Sequence, residues 1–253
     1  RQIEMDPIVR LCLVEVRKPD MHEPSGDFRR LVEALEAQWP DRVTGAISCD
    51  LNILQSVQPV LRAGKWQVTV SLRDGHHIVG IWPGLKERIA GVAIDVGSTT
   101  MSAHMCDMVT GKVLASTGAM NPQIRFGEDL MSRVSYGIMN PGGDREMTAA
   151  VIEGLQTLIS GAAEQAGLTN EDVLEIVLVG NPVMHHLLLG IDPVELGGAP
   201  FALAVDTSVE IRASELGIDV HPGGRVYVLP CIAGHVGADA AGVVLAEAPQ
   251  KHD

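Results

Sequence analysis

An α/β protein in two parts is what this sequence predicts: a small α+β unit over residues 1–88, then a lobe over residues 89–253 built on a mixed sheet. Three observations carry the prediction. Apolar residues recur at helical spacing from Asp27 to Gln38 and again from Asp144 to Gly167. Short β-branched runs, bounded by glycine, proline or aspartate, occupy much of the rest. Residues 89–119 hold three such runs in succession, whereas the later runs alternate with helical stretches, as parallel crossovers require.

In the first part, Ile8–Val16 is apolar and β-branched and reads as a strand ending at Lys18-Pro19. Ser25 is placed to cap a helix from Asp27 to Gln38, whose Phe28, Leu31, Val32 and Leu35 share one face. Asp50 is placed to cap a second helix through Leu51, Leu54, Val57 and Leu61, with Pro59 expected to bend or shorten it and Gly64 to close it. Trp66–Leu72 and His76–Trp82, joined by Arg73-Asp74-Gly75, read as a hairpin.

In the second part, Gly91–Asp95, Thr100–Cys106 and Lys112–Thr117 are three strands of a meander. A short helix is expected over Glu128–Tyr136, ending at Gly137. A long one follows from its cap at Asp144, with Met147, Val151, Leu155, Leu158, Ile159, Ala162 and Ala166 as its apolar stripe. Val173–Val179 is nearly all apolar and reads as a strand buried on both faces. Val183–Leu189 is helical, 190–224 irregular, Val226–Leu229 a buried strand and Val236–Ala246 a helix of small residues. Three antiparallel strands followed by two parallel ones with crossover helices is the ribonuclease H-like order, which is also the first lobe of the actin-like ATPases.

Composition narrows the function. Hydrophobic residues make up 46% of the 253, enough for packed cores, but aromatics only 3%. With a net charge of −13 and no basic stripe, no nucleic-acid partner is expected. Cys12, Cys49, Cys106 and Cys231 have no metal-ligand spacing and read as free thiols of a reducing, cytoplasmic compartment. No apolar run reaches the roughly 18 residues of a membrane span, so no membrane is expected.

Three stretches carry candidate chemistry. In Asp95-Val-Gly-Ser-Thr-Thr100, a tight turn aims backbone N–H groups at one point, Gly97 permits close approach, and Ser98, Thr99 and Thr100 add hydroxyls. Asp95 would repel a phosphate there unless a hydrated Mg²⁺ lay between them, so it is the candidate metal residue. No G-x-x-x-x-G-K-[ST] loop occurs. The second stretch is Pro230–Gly242, where Gly234 and Gly237 allow a second close approach. Its Asp239 is either a helix cap or the catalytic residue that orients water. The third is Gly180-Asn-Pro-Val-Met-His-His186, at the end of a buried strand. Asn181 there reads as a helix cap sooner than a ligand residue. The adjacent His185 and His186 point to different helix faces, a poor metal site.

Taken together, Ala93–Thr100, Asn121-Pro-Gln-Ile-Arg-Phe-Gly-Glu-Asp129, Val179–Leu188 and Pro230–Asp239 resemble the reductive activators of corrinoid-dependent methyltransferases over about residues 90–247. Residues 1–90 resemble the middle domain of that family. The 121–129 stretch discriminates best. The resemblance implies ATP-dependent reduction of a corrinoid protein from Co(II) to Co(I), a homodimer, and ATP and Mg²⁺ as ligands. It places the [2Fe-2S] cluster in a ferredoxin-like domain expected to be missing from this chain, along with the second ATPase lobe. Nucleotide binding by this piece alone is therefore expected to be weak. Ser98 stands where the family more usually has threonine. Glu128 and Asp129 either face the cleft or complement a helix dipole. The rival readings are a small-molecule kinase of the same fold, a [4Fe-4S] activator of radical dehydratases, and a docking or dimerisation module without catalysis.

Overall fold

The computed structural model describes residues 5–247. The chain ends, 1–4 and 248–253, where the outer limits of the two expected domains fall, lie outside the described residues. Packing divides the chain into two units. The first runs up to Ile89 and includes Asp107–Lys112 and His221–Gly223. The second comprises Ala90–Cys106, Val113–Val220 and the chain from Gly224.

The first unit contains β1 (Val9–Glu15), α1 (Asp27–Gln38), β2 (Ser48–Cys49), α2 (Leu51–Ala63), β3 (Gln67–Arg73) and β4 (His77–Pro83). Its sheet order is β1-β3-β4-β2. The hairpin pairs as the alternating pattern predicts, Val70 opposite Ile81, and β1 adds antiparallel with Cys12 opposite Val70. Leu31 and Leu35 of α1 and Ile53, Val57 and Leu61 of α2 share one core with Val14, Val68, Leu72 and Ile78. Several local expectations are corrected. Gly26, not Ser25, is the N-cap of α1, and the Ser25 hydroxyl accepts from Arg17 at 3.2 Å instead. Asp50 is the N-cap of α2 but makes no capping bond. Its carboxylate turns to His77 Nε2 at 3.1 Å, and His77 Nδ1 in turn meets Ser48 Oγ at 2.7 Å. The two-residue strand β2 was too short to show a period. Pro59 does not end α2, which continues to Ala63.

The second unit contains β5 (Ala90–Val96), β6 (Thr100–Asp107), β7 (Val113–Met120), α3 (Leu130–Met139), α4 (Gly143–Gln165), β8 (Val173–Gly180), α5 (Pro182–Leu188), β9 (Val209–Arg212), β10 (Arg225–Val228) and α6 (Ala238–Glu247). The sheet order is β7-β6-β5-β8-β10-β9. β8 lies parallel to both β5 and β10, and β6 antiparallel to β7. The connection from β5 to β6 is too short for a parallel crossover. This is the ribonuclease H-like order of the actin-like ATPase lobe, with one added strand. The α4 stripe from Met147 to Ala162 is buried against Val92, Ile94, Met101 and Ile176.

Three readings change. The helix expected at 128–136 starts at Leu130, after an Asp129 cap, and continues through Gly137 to Met139. Residues 190–224 are not irregular throughout. They hold β9, an edge strand antiparallel to β10, and two short 3₁₀ turns, Val194–Gly197 and Ala213–Leu216. β8 is not buried on both faces along its whole length, because Val177 and Val179 open onto a cavity. No helix among the described residues is long and apolar enough to cross a membrane.

Candidate functional site

The loops that leave β5, β8 and β10 bring together most of the residues singled out from the sequence. A cavity of about 940 Å³ is lined by Asp95, Asn181, Gly234, Gly237 and Asp239. Its wall is apolar, from Leu130, Val179 and Phe201 among others. Gly97, Ser98, Thr99 and Thr100 are not among the lining residues; they form the adjoining turn between β5 and β6.

That turn is held from behind. The Asn121 side chain donates to the Gly97 carbonyl at 2.8 Å, the Asn121 backbone N–H to the Thr99 carbonyl at 2.8 Å, and Arg133 Nη2 to the Ser98 carbonyl. Three successive carbonyls are thus anchored by two residues. Asn121, Gln123 and Arg133 are all buried, at 1%, 0% and 0% exposure. Gln123 Nε2 donates to the Met147 carbonyl at 2.9 Å, which fixes the amide of this knot to α4. Asn121, with Arg133 from α3, therefore braces the turn from its buried side. Asp129 is the N-cap of α3. Its Oδ1 accepts from Ser132 N–H and Oγ, both at 2.7 Å, and these bonds hold its carboxyl below the usual range. Arg133 was missed in the sequence, where an arginine in an amphipathic helix signals an exposed face.

The glycines are explained by the protein's own backbone. A methyl group on Gly97 would overlap the Thr100 carbonyl oxygen. One on Gly234 would overlap the Phe201 carbonyl oxygen. One on Gly237 would lie 2.5 Å from Asn181 Cα and 2.7 Å from an Asp239 carboxylate oxygen, so this glycine lets the loop after β10 pack on the loop after β8. Asn181 is the N-cap of α5, accepting from Met184 N–H at 3.0 Å, and also borders the cavity. Asp239 lies inside α6 and not at its N-cap position. It lies in the first turn of α6 and accepts from Ala240 N–H at 2.9 Å. His185 and His186 are both buried, their rings 5.5 Å apart.

Asp95 and Asp239 act on each other. Partial burial raises the Asp95 carboxyl above its ordinary range, and the negative charge of Asp239 raises it further. A raised carboxyl contributes stability only while it is protonated, and that contribution is lost as pH rises through its folded pKa. Asp95→Asn is therefore expected to raise the melting temperature at pH 7, with the difference vanishing below about pH 4. Because Asp95 opens to solvent, screening limits the gain to about 1–2 °C. An unchanged or lower melting temperature at pH 7 would remove the repulsion. Among the described residues no three His, Cys, Asp or Glu side chains gather into a metal cage. A cation here would be held through its water shell by the two aspartates.

Two family models match the chain, and the description 'middle region' falls on the second part, not on the first, where the sequence reading places a middle domain. Residues 1–88 match the family described as the RACo linker region, and residues 90–251 the RACo middle region. The chain is 28% identical over 236 residues to the corrinoid activation enzyme RamQ of Eubacterium limosum, covering 86% of this chain and 40% of that protein. The solved structure of a reductive activator for corrinoid, iron–sulfur protein superposes with a TM-score of 0.84 at 31% identity, covering 97% of this chain and 39% of the other. The chain thus spans about two fifths of the length of these relatives.

Proposed function

The chain belongs to the RACo family, and from that membership we propose that its second unit is a nucleotide-binding lobe serving ATP-dependent reduction of a corrinoid protein from Co(II) to Co(I). One observation carries the reading: two mutually repelling carboxylates, Asp95 and Asp239, stand beside a turn whose carbonyls are all tied back. An anion with its cation satisfies both features. The N–H groups of Ser98, Thr99 and Thr100 would bind phosphate oxygens. Asp95 would hold the water shell of Mg²⁺, whose charge removes its repulsion with Asp239, and Asp239 would orient water at the phosphate. Gly234 and Gly237 bring the Asp239 loop close enough to take part. Binding energy released there would favour one arrangement of the full protein over another, and so couple ATP to the reduction.

The partner proposed is a corrinoid protein, with a second copy of this chain forming a homodimer in a reducing cytoplasm. The described residues offer no cage for the iron–sulfur cluster that the resemblance implies, and no step is assigned to it.

Calorimetric titration of Mg-ATP into the longest natural form of the protein tests the reading. Asp95→Ala is expected to weaken binding by about tenfold or more, equivalent to about 1.4 kcal/mol. Equal binding would take Asp95 out of the site. No binding by either form would end the nucleotide reading and leave a docking module.

A further inference from the structure

Arg133 is an unusual residue to find where it is. Its side chain is fully buried on α3, and burial pulls its pKa below the usual guanidinium range. An arginine nevertheless keeps its proton in a protein. A buried charge normally takes a carboxylate partner, because the desolvation of an unpaired charge is costly. No carboxylate bonds Arg133 among the described residues. Nε donates to the Gly127 carbonyl at 3.0 Å, Nη1 to Gln123 Oε1 at 3.3 Å and to Met184 Sδ at 3.1 Å, and Nη2 to the Ser98 carbonyl. Every acceptor is neutral. Asp129 acts on it only through space, and spends its carboxylate on capping α3.

The geometry of the turn gives this charge a use. A trans peptide points its N–H opposite to its carbonyl. With the carbonyls of Gly97, Ser98 and Thr99 bonded to Asn121 and Arg133, the N–H groups of Ser98, Thr99 and Thr100 face away from the buried knot. No hydrogen bond from the Ser98 or Thr99 N–H to another described residue is seen. A cation on the Ser98 carbonyl also polarises that peptide, which strengthens the Thr99 N–H as a donor.

We propose that Arg133 is a positioning residue of the β5–β6 turn, holding the Ser98 carbonyl back and supplying the buried positive charge that a bound phosphate compensates. The proposal rests on the phosphate-turn reading and adds the source of its charge. A neutral amide could hold the Ser98 carbonyl without the cost of burying a charge, so the hydrogen bonds alone give no reason for the charge.

Arg133→Met and Arg133→Lys, each in the longest natural form, separate the two roles. Urea midpoints without ligand report folding, and Mg-ATP titration reports the site. Arg133→Met, which leaves the Ser98 and Gly127 carbonyls without their donor, is expected to lower the urea midpoint and, in the folded protein, to weaken Mg-ATP binding about tenfold. Arg133→Lys, which keeps the charge but loses the fork, should recover part of the affinity. Wild-type affinity in folded Arg133→Met overturns the proposal while leaving the phosphate turn standing. So does a lowered urea midpoint with unchanged affinity. If wild-type protein binds no Mg-ATP, or binds it as well as Asp95→Ala does, the phosphate-turn reading fails and this proposal falls with it. Should Arg133→Met not fold, full affinity loss in folded Arg133→Gln with partial recovery in Arg133→Lys supports the proposal, and equal affinity in both overturns it.

Discussion

Gly97→Ala is expected to destabilise the second unit by about 2–3 kcal/mol and to abolish Mg-ATP binding together. The added methyl group would overlap the Thr100 carbonyl oxygen. That oxygen belongs to the first residue of β6, so relief requires opening the turn or shifting the strand. Either movement pulls the Gly97 and Ser98 carbonyls off Asn121 and Arg133, both of them buried, and leaves those donors unsatisfied. Structure and site therefore fail through one event. Gly161→Ala provides the contrast. It lies inside α4, nothing would touch its methyl group, and it is expected to stabilise by about 0.5–1 kcal/mol. Urea unfolding of both variants, with Mg-ATP titration of each, checks the pair. Gly97→Ala with wild-type stability would mean that the turn opens without cost and cannot serve as a rigid anion site.

The order of the strands was legible because each depends on local pattern. The meander at 90–120 carries its period, and the all-apolar Val173–Val179 has one sensible place in a sheet. β9 was not legible. Val209-Glu-Ile-Arg is four residues with half-exposed positions, and only β10 beside it makes it a strand. The ends of α1 and α2 fall where the sequence reading puts them, but the expected capping bonds do not form, because each side chain finds another partner. Asp50 turns to His77, and Ser25 serves Arg17.

The site divides in the same way. Asp95 and Asp239 were found because carboxylates beside glycine turns stand out in a sequence, and the structure brings both to one cavity. The reason for Gly97 and Gly237 was not legible. Each glycine looked like room for a phosphate, and each meets the chain's own backbone. Asn121 and Arg133 lie 24 and 35 residues from the carbonyls they hold, and spacing along a chain says nothing at such distances. Within the Asn121–Asp129 stretch it is Asn121 that braces the turn, a role that needs a fixed side chain as much as a ligand contact does.

His185→Phe should remove much of the protein's loss of stability in acid. His185 is fully buried, and neither ring nitrogen has a hydrogen-bond partner. Burial first, and the neighbouring His186 ring second, push its pKa down to about 4. His186 is lowered as well by burial, in part restored by its bond to the Pro182 carbonyl at 2.9 Å. The unfolded chain takes up a proton on each histidine near pH 6.5, and the folded protein refuses it. The stability contributed by neutral His185 is thus complete above pH 6.5 and is lost progressively as pH falls to about 4. The full loss is about 3 kcal/mol at His185 alone. Phenylalanine keeps a ring of similar size and has nothing to protonate. It also removes two unsatisfied polar atoms, which should add about 1 kcal/mol at pH 7. Urea midpoints from pH 7 to pH 4.5 test this. The gap between His185→Phe and wild type should widen as pH falls. A constant gap would mean that His185 takes up its proton in the folded state, through an opening of α5 that exposes the ring. The same opening would loosen Met184, which touches both Asn121 and Arg133 behind the turn, so acid would then act on the β5–β6 turn before it unfolds the lobe.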